Sequence, residues 1–198
     1  LQWRKEVTVS SSIDARLAAL ENRVSELDDE REIRGLLSRY GYLADHGHGA
    51  AWVSLFEPHG SLEYAVDPAW VDGLGNLGEG DEDGAPPGDS DRGEDVVMRF
   101  EGHSSLRSFI EDPRAHKAIE GMCLHIMDSN VLIRIAGPRA TAESYNLTLV
   151  RRDSQMLLLN GSVNRWTLSK SSGAWLIEEC VRRRPGAPGF DSVQPTRS

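Results

Sequence analysis

The chain has 198 residues, 39% hydrophobic and 27% charged, enough for one domain with a substantial core and ordinary for a folded protein in water. Its formal net charge of -9 excludes non-specific binding to nucleic acid or anionic membrane, both of which attract basic surfaces. Cys123 and Cys180 form no C-x-x-C pair and read as reduced core residues of a cytoplasmic protein; no apolar stretch reaches the roughly 20 residues of a membrane span, and no signal-peptide core is present.

Residues 1–12 are expected to form a flexible extension ahead of a domain over 13–184. From Ile13 to Ala44 the pattern is helical, with Leu17, Leu20, Val24 and Leu27 on a narrow stripe and Ile33, Leu36, Leu37 and Tyr40 continuing an inward face. Asp28 or Asp29 can cap a second helix, so one helix or two fit equally well. The narrow stripe suits packing against a second chain, which predicts a homo-oligomer. A short helix follows over 51–56, then a strand over 60–64. Between Val66 and Val96 lie ten acids and the single base Arg92, which account for the whole net charge. This insert, about 67–95, has seven glycines and no apolar periodicity, and reads as a disordered segment or a mobile flap. Trp70 within it could fold over a bound apolar substrate as part of a lid.

Regularity returns with a strand over 96–100 and a helix over 104–111. Long strands follow at about 122–136, 139–152, 156–169 and 173–183, separated by the turn sequences Gly137-Pro138, Asp153-Ser154 and Ser171-Ser172-Gly173. Helices first and antiparallel strands last is an α+β order, and a sheet of this size with helices on one face curls into an open cone. Residues 182–184, three arginines, read as a solvated strand end, and 185–198 as a flexible tail.

His125 lies inside an apolar run over 122–127, where a titratable imidazole needs a partner. Asp45, closing the helix that carries Tyr40, is the candidate orienter. Strand alternation places Cys123, His125 and Met127 on one face, and Ala142, Ser144, Asn146 and Thr148 on another that is small and polar enough to wall a cavity. A carboxylate holding an imidazole, with phenols nearby, is equipment for proton abstraction. His46, His48 and His59 lack diagnostic metal-ligand spacing, so neither metal nor cofactor is expected.

These pieces in this order resemble the SnoaL-like branch of the NTF2-like superfamily, which includes scytalone dehydratase. The carriers are IRGLLSRY over 33–40 leading to Asp45, WVSLF over 52–56, FEGHSS over 100–105, HIMDSN over 125–130, ATAESYN over 140–146 and GAW over 173–175. The resemblance implies an NTF2-like cone, a cofactor-independent dehydratase or isomerase, and a hydrophobic polyketide, steroid or terpenoid-like substrate. It places Asp45 and His125 at the family's carboxylate–histidine dyad. Tyr40 and Tyr64 match oxygen-binding phenols, and Ser144 and Asn146 match a serine and an asparagine of the scytalone dehydratase branch. That branch's second histidine has no clear counterpart, His103 lying in a turn. Two alternatives stand beside this reading: a non-catalytic ligand-binding or small subunit of the ring-hydroxylating dioxygenase type, and an epoxide hydrolase, which needs an Asp-Arg-Asp arrangement the sequence does not assemble.

Overall fold

The computed structural model describes residues 2–66, 95–113, 116–127 and 130–193. The first element is one helix, α1 (Gln2–Asp45), rather than two. The acidic stretch that could have capped a second helix is neutralised instead: Arg31 pairs with Asp28 at 3.6 Å, Arg34 with Glu30 at 2.8 Å, and Lys170 with Asp29 at 2.6 Å. Gly47, at φ +71°, turns the chain after the helix end, a left-handed conformation that glycine adopts without strain.

A short helix, α2 (Gly49–Val53), leads into β1 (Phe56–Val66), longer than the strand expected over 60–64. Pro58 is accommodated because the register of β1 is irregular between Phe56 and Ser61. After the insert come β2 (Val96–Glu101), α3 (Gly102–Glu111) and a 3-10 turn over His116–Ile119. The strand expected over 122–136 is two strands, β3 (Cys123–Ile126) and β4 (Leu132–Ala136), paired with opposite ends of β5. The polar sequence at 128–130 interrupts the apolar alternation between them. β5 (Arg139–Arg152), β6 (Gln155–Ser169) and β7 (Leu176–Arg183) complete the sheet.

The sheet order is β2-β1-β7-β6-β5-β3, with β4 also on β5. β1 and β7 run parallel; the other described pairings are antiparallel. Strands as long as β5 and β6 accumulate right-handed twist, which curls the sheet around α1 and gives the α+β cone. The core forms where Ile33, Leu36, Leu37 and Tyr40 of α1 meet Leu62, Ala142, Trp166 and Cys180 of the inner sheet face.

Residues 190–193, inside the expected tail, form a 3-10 turn whose Val193 is fully buried against Val163 and Val181. The arginine run is no solvated end: Arg183 is buried and pairs with Glu63, and Arg184 pairs with Asp95. Cys123 and Cys180 are free and buried. Trp70 and the insert up to residue 94 lie outside the described residues. Among the described residues no helix is long and apolar enough to cross a membrane.

Candidate active site

The end of α1 delivers Asp45 to the backbone and side chains of β3. Its Oδ2 accepts the His125 backbone N–H at 2.8 Å and its Oδ1 accepts the Nδ1–H of the same residue at 2.5 Å. The Cys123 thiol adds a third hydrogen bond to Oδ1 at 3.3 Å. Burial alone raises the Asp45 pKa, but the hydrogen bonds and charge interaction with His125, together with the thiol, outweigh it and hold the carboxyl below its ordinary range. Asp45 is therefore an acceptor throughout, and an Nδ1–H facing it leaves Nε2 of His125 as the free lone pair. Burial, then Asp45, pushes the Cys123 thiol up to about 12, so it serves as a donor and not as a thiolate nucleophile.

His116 completes this corner. Its ring stacks on that of His125, and neither of its buried nitrogens has a protein hydrogen-bond partner. Burial, then the neighbouring His125, lowers its pKa to about 3, which keeps the imidazole neutral. The sequence offered no signal for this residue beyond its type. It lies in the irregular stretch between α3 and β3, where no periodicity predicts a direction.

Pairing across the sheet aligns the rest of the wall. Tyr64 lies opposite Arg182, Arg182 opposite Asn164 and Asn164 opposite Ser144, one straight row through β1, β7, β6 and β5. Asn146 lies opposite Ser162, and Thr148 opposite His125, so both belong to the same inner face. Asn146 donates Nδ2 to Thr148 and Ser162 at 3.4 and 3.3 Å, which leaves its Oδ1 unpartnered. Arg182 donates Nε to Asn164 Oδ1 at 2.9 Å, while its Nη2 and the Asn164 Nδ2 have no protein partner. Buried polar groups are nearly always paired, so this concentration of unpaired donors and acceptors marks a surface shaped for a polar ligand. Ser144 is committed differently: its hydroxyl accepts the Trp166 indole N–H at 3.0 Å.

Tyr64 belongs to this face, and Tyr40 faces it from α1 inside the core. Tyr40 packs between Trp52 and Trp166 at centroid distances of 5.1 and 5.2 Å, and Tyr64 against Phe100 and Phe109. Burial raises both pKa values, that of Tyr64 to about 12, although Arg182 pulls in the opposite direction on each. They remain protonated donors at neutral pH. On the inner face the polar group around His125, Asn146 and Arg182 adjoins the packed core around Trp52, Trp166 and Leu62.

The ligand atoms of Asp45, His116, Cys123 and His125 all lie within 4.8 Å of one another, so this group has the donor set for a zinc-like cation. Such an ion would replace the proton between Asp45 and His125. His46 and His48, weighed as ligands, do not join the group: His46 donates to the Tyr42 carbonyl at 2.8 Å, and both are exposed along with His59. His103 donates to the Phe56 carbonyl at 3.0 Å, a structural role.

A family model for a SnoaL-like domain matches residues 25–181. No curated protein sequence matches the chain significantly. Among solved structures, an NTF2-like protein with a cystatin-like fold from Novosphingobium aromaticivorans is similar, with a TM-score of 0.69 at 20% identity over 90% of this chain and 97% of that one. Two more from the same organism are similar in fold. One is a candidate aromatic-ring-hydroxylating dioxygenase beta subunit, TM-score 0.56 at 14% identity over 81% and 91%. The other is a candidate scytalone dehydratase, TM-score 0.55 at 16% identity over 82% and 87%.

Proposed function

We propose, for a chain that belongs to the SnoaL-like domain family, that it is a cofactor-independent lyase or isomerase acting on a hydrophobic hydroxy-ketone of polyketide, steroid or terpenoid type. The observation that carries this reading is the 2.5 Å contact between Asp45 and His125, buried on both sides with each side chain only 7% exposed. A carboxylate so placed sets the imidazole tautomer and stabilises the imidazolium that follows proton uptake.

His125 Nε2 takes the acidic proton next to the substrate carbonyl, and the electron pair of the broken C–H bond moves into an enolate. Tyr64, Tyr40 and Arg182 donate to the enolate oxygen, each such preorganised donor contributing about 3 kcal/mol in comparable sites. In a dehydration the electron pair returns, the bond to the β-hydroxyl breaks, and the proton on His125 leaves with it as water. In an isomerisation the same proton returns to a different carbon. Asn146 Oδ1 is available to orient the departing hydroxyl, and Ser144 lies beside it on the same inner face.

Similarity to a candidate scytalone dehydratase agrees with this chemistry, while similarity to a dioxygenase beta subunit keeps a binding-only role in view. The buried pairing of Asp45 with His125, beside unpaired polar groups of the inner face, supports catalysis over a binding-only role. The test is solvent-deuterium exchange into a panel of candidate ketones by the parent protein and by His125→Ala. Exchange lost in the variant is expected; equal exchange in both removes His125 as the base.

A further inference from the structure

Every residue from 13 to 28 of α1 is exposed, yet five of them are large and apolar. Ile13, Leu17, Leu20, Val24 and Leu27 are each between 51 and 63% exposed. A helical segment of this length with nothing packed on it is marginal in water, and its apolar residues are not scattered. They recur at intervals of four and three, which sets Leu17 and Val24 at the a positions and Ile13, Leu20 and Leu27 at the d positions of a heptad repeat. An open groove lined by Leu17, Leu20 and Val24, with Lys170 beside it, runs along this part of the helix.

The flanking charges decide what lies on the stripe. In this frame the e positions are Asp14, Glu21 and Asp28, all acidic, and the g positions Arg16 and Arg23 are basic. In a parallel two-stranded coil each g residue meets the e residue of the next heptad on the other strand. Arg16 then faces the partner's Glu21, and Arg23 faces the partner's Asp28. In an antiparallel pair g meets g and e meets e, which sets arginine against arginine and acid against acid.

The rest of the domain is compatible with that arrangement. Ile33 and Tyr40 fall at c and Leu36 at f, so the face of α1 that enters the core lies roughly opposite the a/d seam at 3.6 residues per turn. Two domains would therefore sit on the outer sides of the paired helices. The seam stops at Arg31 and Arg34, the next a and d positions, where Arg34 reaches into its own domain to the Val131 carbonyl.

We infer that two copies of the chain associate through residues 13–27 of α1 as a parallel, in-register coiled coil with a Leu17–Leu20–Val24–Leu27 seam. The outer sheet face also exposes Leu124, Ile126, Tyr145 and Leu147, so molecular mass alone does not report on the seam. Site-specific cross-linking does, because the native Cys123 and Cys180 are buried. Full-length Ile13→Cys and Leu27→Cys, each oxidised alone, are expected to form covalent dimers, and Asn22→Cys at an f position is not. Cross-linking only in a mixture of Ile13→Cys and Leu27→Cys, or in none, overturns the proposal. In the Leu27→Cys background, Arg16→Glu with Arg23→Glu is expected to slow cross-linking at least tenfold, and adding Glu21→Arg with Asp28→Arg to restore it. Failure of the compensating pair overturns the parallel register.

Discussion

The imidazole of His116 stacks on that of His125 with ring centroids 5.3 Å apart and planes 24° from parallel. Because its pKa falls to about 3 from an ordinary 6.5, the unfolded chain takes up a proton first as pH drops through that interval. Stability from this group is complete above pH 6.5 and is lost toward pH 3. Asp45, with its lowered pKa, adds a loss of the same sign below the ordinary carboxylate range. His116→Phe keeps a ring in place and removes the titration. It should reduce the loss of stability between pH 6.5 and 4.5 by about 2 kcal/mol, measured by urea unfolding at each pH. An unchanged pH dependence would sink the neutral, buried imidazole.

Asp45→Asn keeps the volume of the side chain but places an amide donor where the Nδ1–H points. The imidazole is then expected to carry its proton on Nε2, the wrong nitrogen for a base. We predict a fall in kcat on the order of 1,000-fold or more, with KM changed little, read from steady-state kinetics on any ketone that exchanges.

Gly41 lies one turn before Asp45 and faces β3. A Cβ there would stand 3.0 Å from the His125 carbonyl oxygen and 3.2 Å from its Cβ. Gly41→Ala improves helix propensity by about 1 kcal/mol while pushing β3 away by tenths of an ångström. Activity is expected to drop about tenfold or more while the thermal midpoint moves little, since misplacement costs rate before it costs stability. Wild-type activity in this variant would mean the contact is unimportant.

Arg182 brings an unpaired Nη2 to the inner face. Arg182→Met retains most of the packing and removes the charge. The expected result is a rise in KM together with a lower kcat, because an enolate oxygen gains more from the guanidinium than a ground-state carbonyl does. A change in KM alone would assign Arg182 to binding only.

Zinc ions should inhibit by occupying Asp45, His116, Cys123 and His125 in place of the shared proton. Chelator should restore full activity, and Cys123→Ser should weaken the inhibition at least tenfold without removing the dyad. Insensitivity to zinc would show that the four donors do not converge in solution.

Most of the element order was legible in the sequence because it rests on local periodicity, and the candidate dyad was legible through its motif positions in the family resemblance. Helical spacing in α1 selected Tyr40, the helix end and the family resemblance selected Asp45, and strand alternation grouped Ser144, Asn146 and Thr148 together. The position of the acidic insert was equally plain from composition alone. Other features had no local signature. Arg182 was indistinguishable from its neighbours Arg183 and Arg184 until pairing between β6 and β7 set it beside Asn164. Ser144 was an available hydroxyl until the Trp166 indole claimed it.

Periodicity along the chain therefore determined most of the helix and strand segments and where a narrow apolar stripe lies, and the family resemblance picked out Asp45 and His125 as a candidate pair. Distance was decided only by the tertiary structure. The closeness of α1 to β3, the stacking of His116 on His125 and the inward aim of Arg182 depend on strand register and helix–sheet spacing between residues far apart in sequence. Those are set by the packing of the whole core, which no single stretch of residues encodes.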